Sequence, residues 1–132
     1  DWNGDGNLDL AVVVAGEESI EIYKGDGLGN FKMLSRHETG VNPHGLTSGD
    51  FDKDGNLDLA VSNRTSGGIT IFLGKGNGDF ENTSSIYTGN DGIAIANGDF
   101  DGDGTIDLAM VSASSHSLLF YRGDGKGGFN PW

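Results

Sequence analysis

One nine-residue segment occurs three times in this chain, and its copies begin 49 residues apart, at Asp1, Asp50 and Asp99. The middle copy reads DFDKDGNLD, with carboxylates at positions 1, 3, 5 and 9 and glycine at position 6. A single acidic turn of this kind can be a solvated surface loop, because short Asp/Gly matches arise by chance. Three copies at one fixed spacing instead indicate a repeat protein, and every prediction below is built on that unit.

The repeated segment has the side chains of a calcium-binding loop. Carboxylates crowded into nine residues repel one another unless a cation lies among them, and hard oxygen ligands suit Ca²⁺, which takes about 6–8 of them. Glycine at position 6 can adopt a positive φ, so the chain can curl around an ion at little steric cost. The residue at position 7 would then offer its backbone carbonyl.

The charge of the chain is concentrated in these segments. The formal net charge is −12, and the three copies hold 11 of the 20 acidic residues. Nucleic acid is an unfavourable partner because its phosphates need a basic surface. The absence of cysteine excludes disulfides and thiolate metal sites. No apolar run approaches the length of about 18 residues that a membrane-spanning helix needs, so membrane insertion is not expected.

Short apolar or alternating runs between glycine-rich turns predict an all-β protein. No helical period is sustained, and four short strands per unit are typical of a β-propeller blade. We predict one repeat array over residues 1–132, with a first blade over 1–40 that lacks its first strand, a second over 41–89, and a third over 90–132 that lacks its last strand. Further blades are expected in cis or from another copy of the chain. The predicted strands cover residues 8–14, 19–24, 31–37, 44–49, 57–62, 68–73, 80–88, 93–98, 106–112 and 118–122.

Aromatic residues recur in the same register as the loops. Position 2 of the segment is Trp2, Phe51 or Phe100. A phenylalanine also follows the glycine-rich turn near the end of each repeat, at 31, 80 and 129. We interpret these side chains as core or inter-repeat packing and not as a platform for a ligand.

The loop resembles the start of an EF-hand and then departs from it. An EF-hand needs a bidentate Glu at position 12 and a following helix. Here position 12 is Val12, Val61 or Met110, and strand-forming residues follow. The last ligand is therefore expected at position 9, and the loop is expected to join two strands.

Residues 49–61 and 98–110 resemble the FG-GAP/VCBS repeat, the blade unit of integrin-α-like β-propellers. The resemblance implies a loop between the first and second strands of each blade, up to three Ca²⁺ ions, and extracellular or cell-surface adhesion or recognition of a protein or glycan. It implies these ligands by position: Asp1, Asn3, Asp5, the Asn7 carbonyl and Asp9; Asp50, Asp52, Asp54, the Asn56 carbonyl and Asp58; Asp99, Asp101, Asp103, the Thr105 carbonyl and Asp107. Asn3 replaces an Asp, so the first site is expected to bind more weakly.

Catalysis is the competing class of function. His37, His44 and His116 do not recur in register, and the sequence has no nucleophile elbow, phosphate loop or zinc-ligand spacing. We therefore expect a non-catalytic protein. The alternatives are a lectin-like glycan binder with pockets between blades, a propeller segment of a polysaccharide-active enzyme, and a structural or designed repeat scaffold. Two tripeptides, beginning at Asn63 and Asn82, match the N-glycosylation pattern.

Overall fold

A computed structural model describes residues 1–89 and 91–132. These residues form three antiparallel sheets, which confirms the all-β prediction. The first sheet has the strand order β1-β2-β3, the second β4-β5-β6-β7, and the third β11-β10-β9-β8. The strands are β1 (Leu10–Val14), β2 (Ser19–Gly25), β3 (Phe31–Glu38), β4 (Pro43–Gly49), β5 (Asp58–Asn63), β6 (Gly68–Gly74), β7 (Phe80–Tyr87), β8 (Gly92–Gly98), β9 (Asp107–Ser112), β10 (Ser117–Gly123) and β11 (Phe129–Pro131).

The third sheet corrects one prediction. It was expected to lack its last strand, but β11 pairs with β10 from Gly123↔Phe129 to Tyr121↔Pro131. The strand is three residues long, whereas the equivalent β7 has eight. The physical reason is the tight turn over residues 124–128, which reverses the chain so that Phe129 pairs directly with Gly123. The first sheet has three strands, and the described residues contain no counterpart of β4 in it.

The three sheets stack face to face through two apolar clusters. Between the first and second sheets lie Ile20, Ile22, Leu59, Val61, Phe72 and Phe80. Between the second and third lie Phe51, Ala60, Ile69, Ile71, Leu108, Met110 and Tyr121. The middle sheet is therefore covered on both faces, and every residue of β5 is buried. In the outer third sheet, by contrast, half-buried and exposed residues alternate at the start of β10.

Aromatic residues join neighbouring sheets in the way the register predicted. The ring of Trp2 meets that of Phe80 edge to face at 6.1 Å, and the rings of Phe51 and Phe129 do the same at 5.4 Å. In each pair a ring from position 2 of one loop packs against the phenylalanine that follows the glycine-rich turn of the next sheet. Phe100, at the same position of the third loop, is 46% exposed because no described sheet covers that face. None of the described residues forms a helix that could span a membrane.

Candidate metal centres

The second and third repeated segments connect the first and second strands of their sheets, as predicted. The second connects β4 to β5, and the third connects β8 to β9. Asp58 and Asp107, at position 9, are the first residues of β5 and β9, while Asp9 directly precedes β1. The second and third loops therefore lie between the first and second strands of their sheets. The first loop directly precedes β1, which is the strand equivalent to β5.

The position 9 carboxylate fastens each loop to its sheet. Asp58 is fully buried, and it accepts hydrogen bonds from the Phe51 amide at 2.6 Å and from the Gly74 amide at 2.8 Å. Asp107 accepts the same pair from Phe100 and Gly123 at 2.9 and 3.0 Å. In the first loop, Asp9 binds the amides of Trp2 and Gly25 at 2.8 and 3.0 Å. One side chain thus joins the start of the loop, the start of a strand and the end of the next strand.

The position 1 carboxylate organises the interior of the loop. Asp50 accepts hydrogen bonds from the amides of Asp54 and Gly55, both at 3.1 Å. The corresponding acids Asp1 and Asp99 bind the glycine amide at position 6 at 2.8 and 3.0 Å. The glycine at this position has a φ of 85°, 90° and 84° in the three loops, a conformation that favours glycine. The positive φ at this glycine was predicted and is confirmed, and the loop curls around the first carboxylate.

Two loops bring three carboxylates together. One oxygen from each of Asp50, Asp52 and Asp58 lies within 4.8 Å of the others, and the same holds for Asp99, Asp101 and Asp107. Burial raises the pKa of Asp58, and the negative charges of Asp52 and Asp54 raise it further, although the amides of Gly74 and Phe51 oppose this. Among the described residues, no Lys or Arg forms an ion pair with Asp50, Asp52 or Asp58. A buried acid beside like charges without a counter-charge fits a divalent cation with oxygen preference.

Position 5 lies outside these groups. Asp54 accepts hydrogen bonds from the backbone amide of Asn56 at 2.7 Å and from its side-chain amide at 2.8 Å. Asp103 is bound by the hydroxyl and by the backbone amide of Thr105. These bonds lower the pKa of both carboxyls. Local hydrogen bonds therefore hold Asp54 and Asp103, and their role as metal ligands remains a prediction. The same is true of the backbone carbonyls of Asn7, Asn56 and Thr105.

The first loop is arranged differently from the other two. The side-chain amide of Asn3 donates a hydrogen bond to Asp9 at 2.9 Å, so it presents a donor where Asp52 and Asp101 present oxygens. Asp5 forms an ion pair with Lys24 at 2.7 Å, and that contact is the main cause of its lowered pKa. Among the described residues, the acids of this loop do not form a group of three. Its weaker binding remains a prediction that this geometry favours.

The glycines that end β2, β6 and β10 have a structural role that the sequence analysis did not recognise. Gly25, Gly74 and Gly123 recur in register, and a Cβ atom on them would lie 2.0–2.2 Å from the carbonyl oxygens of Leu8, Leu57 and Ile106. Only glycine permits the strand end to approach the loop this closely, and their amides are those that bind the position 9 acids. The recurrence of glycine was the available signal, but the close approach is visible only in the structure.

The residues weighed for other chemistry lie apart from the loops. His37, on β3, packs against Phe72 and Phe80 with ring centroids 5.9 Å away in both cases. His44 and His116 are exposed, on β4 and in the turn between β9 and β10. Asn63 is 2% exposed and donates to the Thr70 hydroxyl at 2.9 Å, so it is inaccessible as a glycan acceptor in the folded chain. Asn82 is exposed on β7.

Comparison with known proteins gives one finding. A family model described as FG-GAP-like repeat matches residues 1–61 and again residues 50–110. The two matches start 49 residues apart, at the first residues of the first and second loops. No curated protein and no solved structure gave a match.

Proposed function

This chain belongs to the FG-GAP-like repeat family, and on that premise we propose that its β-propeller repeats bind calcium and recognise a protein or glycan ligand outside the cell. The observation that carries the calcium proposal is the convergence of Asp50, Asp52 and Asp58, one of them buried, with no cationic partner among the described residues. The corresponding group in the third loop supports a second ion.

Bound calcium would supply two positive charges to a group of acids that otherwise repel one another. Asp50, Asp52 and Asp58 would hold it in the second loop, and Asp99, Asp101 and Asp107 in the third. The chain's own part is to pre-organise these oxygens. The position 1 acid is held by loop amides, and the position 9 acid by amides from two separate elements. An ion bound there would stabilise the folded state by mass action, since it binds that state preferentially.

The recognition role is proposed as a non-catalytic one. The histidines that a catalytic reading would use lie on separate elements, and His37 is packed against aromatic rings. Membership of the family favours an extracellular or cell-surface setting, in which millimolar calcium would occupy even moderate-affinity loops. A glycan array probed with and without calcium would test the recognition role, and binding of no glycan would favour a protein ligand.

The calcium proposal is tested by titration calorimetry and thermal unfolding. We expect calcium to raise the melting temperature, excess chelator to reverse the rise, and Mg²⁺ to substitute poorly because it demands octahedral geometry and holds its water. Asp52→Asn should weaken the site of the second loop, because it places at position 3 the amide that the first loop already has. Glu81→Gln is the matched control because Glu81 is an exposed acid on β7, outside every loop. A melting curve that does not respond to calcium or chelator would overturn the proposal.

A further inference from the structure

The residue immediately before Gly25, Gly74 and Gly123, which we call the clamp glycines, differs among the three repeats. It is Lys24, Leu73 or Arg122, at the same register position. The next residue in each case is the glycine whose amide binds the position 9 acid. This position therefore lies beside the acidic loop of its own sheet and can place a charge there.

In the third repeat this position is Arg122, whose guanidinium group forms an ion pair with an acid of the loop. The Nε of Arg122 lies 2.8 Å from Oδ2 of Asp101, an acid of the three-carboxylate group. The other oxygen of Asp101 accepts the Asp103 amide at 3.1 Å. The guanidinium is held on another side by the ring of Trp132, whose centroid is 4.8 Å away. An ion that takes Asp101 as a ligand must share the carboxylate with Arg122 or displace its guanidinium.

In the second repeat the same position carries no charge. Leu73 packs against the core cluster between the second and third sheets. The Oδ1 of Asp52 accepts the Asp54 amide at 3.1 Å, and within the described part of the chain its Oδ2 has no hydrogen-bond partner. The position 3 carboxylate of the second loop is thus not paired with a cation among the described residues, whereas that of the third loop, which has the same four acids, is.

In the first repeat the cation engages a different acid. Lys24 lies 2.7 Å from Asp5, at position 5, and not from position 3, where Asn3 replaces the acid. The contact again neutralises one of the loop's negative charges from within the chain. Two of the three loops therefore have an acid paired with a cation of the chain. The loop between β4 and β5 contains Lys53, but among the described residues this lysine forms no ion pair with the loop's acids, and its side chain lies toward Gly125 of the third sheet.

We propose that the residue before the clamp glycine sets the divalent-cation affinity of each loop, with Arg122 and Lys24 acting as tethered competitors of calcium. This inference rests on the proposed calcium binding and adds an order: the second loop binds most tightly, and the other two bind more weakly. A full unit charge at about 4 Å in water changes an equilibrium constant roughly fivefold, a divalent ion doubles the interaction energy, and salt reduces it. The expected effect of removing Arg122 is therefore roughly tenfold.

The test gives the third repeat the residue that the second already has. In an Asp50→Asn, Asp52→Asn background, which removes two of the three converging carboxylates of the second loop, Arg122→Leu should bind calcium roughly tenfold more tightly at the third loop by calorimetry. Arg122→Lys retains a charge and should stay near the parent affinity. Arg64→Leu is the matched control because it removes an exposed arginine from a surface ion pair, with Asp91, at 3.0 Å. Circular dichroism checks that each variant is folded, and Lys24→Leu provides a second reading at the first loop.

The outcomes separate the two proposals. If the parent chain binds no calcium at any loop, the proposed function itself fails. If the parent chain binds calcium but Arg122→Leu and Lys24→Leu leave the affinities unchanged or weaker, calcium binding stands and the tethered-competitor inference is wrong. An equal gain in Arg64→Leu would also overturn it, since it would reduce the effect to net charge.

Discussion

Gly74 donates its backbone amide hydrogen to the carboxylate of Asp58 across 2.8 Å, although the two residues are 16 positions apart in the chain. Asp58 was predicted as a metal ligand only. The hydrogen bond shows that it also fastens the end of β6 to the start of β5, and equivalent bonds join Asp9 to Gly25 and Asp107 to Gly123. The metal loop and the fold of the sheet therefore depend on the same side chain.

A first prediction contrasts the two acids at positions 5 and 9. Asp58→Ala leaves two amides without their acceptor, and each unsatisfied buried group costs about 1–3 kcal/mol, so we expect a loss of at least about 2 kcal/mol even in chelator. Asp54→Ala removes an exposed side chain, so its loss of stability in chelator should be clearly smaller than that of Asp58→Ala. In calcium, Asp54→Ala should empty the second site. The other two sites should stay occupied, because repeats mainly contact their neighbours.

Urea unfolding with and without calcium measures both effects. Equal losses for the two variants in chelator would contradict the structural role of Asp58. Retention of every site in Asp54→Ala would show that position 5 is not a ligand, in agreement with its hydrogen bonds to Asn56.

A second prediction concerns the close approach at Gly74. In Gly74→Ala the new Cβ would lie 2.2 Å from the Leu57 carbonyl oxygen, a backbone atom that cannot rotate away. We expect a loss of about 1–3 kcal/mol in unfolding free energy, as for other overpacked sites. Gly16→Ala is the control, since a Cβ there meets no atom within 4 Å and its φ is not positive. The prediction fails if denaturant titration finds the two variants equally stable.

A third prediction concerns the pH dependence of stability. Burial lowers the pKa of His37 below its usual 6.5, and Lys75 lowers it too, while Asp79 partly opposes them. The unfolded chain therefore takes up the proton first, so this residue's contribution is present above pH 6.5 and is lost as pH falls through about 6.5 toward the folded value. We expect the melting temperature to fall between pH 7.5 and 5.5 by less in His37→Phe than in the parent chain. Identical slopes would show that His37 is not responsible.

A fourth prediction concerns the two outer faces. Leu118 and Phe120 are 55% and 39% exposed, whereas Ile69 and Ile71, at the same register position, are fully buried by the neighbouring sheet. On the first sheet, Leu10 is 44% exposed where its counterpart Leu59 is buried. These faces correspond to the two halves of an internal sheet–sheet interface. We therefore expect copies of the 132 residues to associate head to tail through them.

Light scattering at micromolar concentration tests this association. Phe120→Glu should suppress it, while Tyr87→Glu should not, because Tyr87 is exposed at the end of β7 in the covered middle sheet. A stable, folded monomer of the parent chain would contradict the prediction.

The strands and loops were predictable because their signals are local. Each predicted strand begins and ends within about two residues of an observed one, since glycine-rich turns bound short apolar runs at every repeat. The missed strand β11 has only three residues, too few to show an alternating pattern. The group of Asp50, Asp52 and Asp58 was predicted for the same reason, because all three acids lie within one short loop.

The sequence by itself determined the repeat unit, every strand except β11, the acidic loops and the family, because these follow from residue type and spacing over a few positions. Only the tertiary structure decided which residues at equivalent positions of the repeats have the same burial and the same contacts. Phe51 is buried and Phe100 is not, because a neighbouring sheet covers one loop and not the other. Arg122 reaches Asp101 while Leu73 turns into the core, and Gly74 approaches Leu57, because distant segments meet there. Contacts of this kind depend on the stacking of sheets, and no local pattern encodes them.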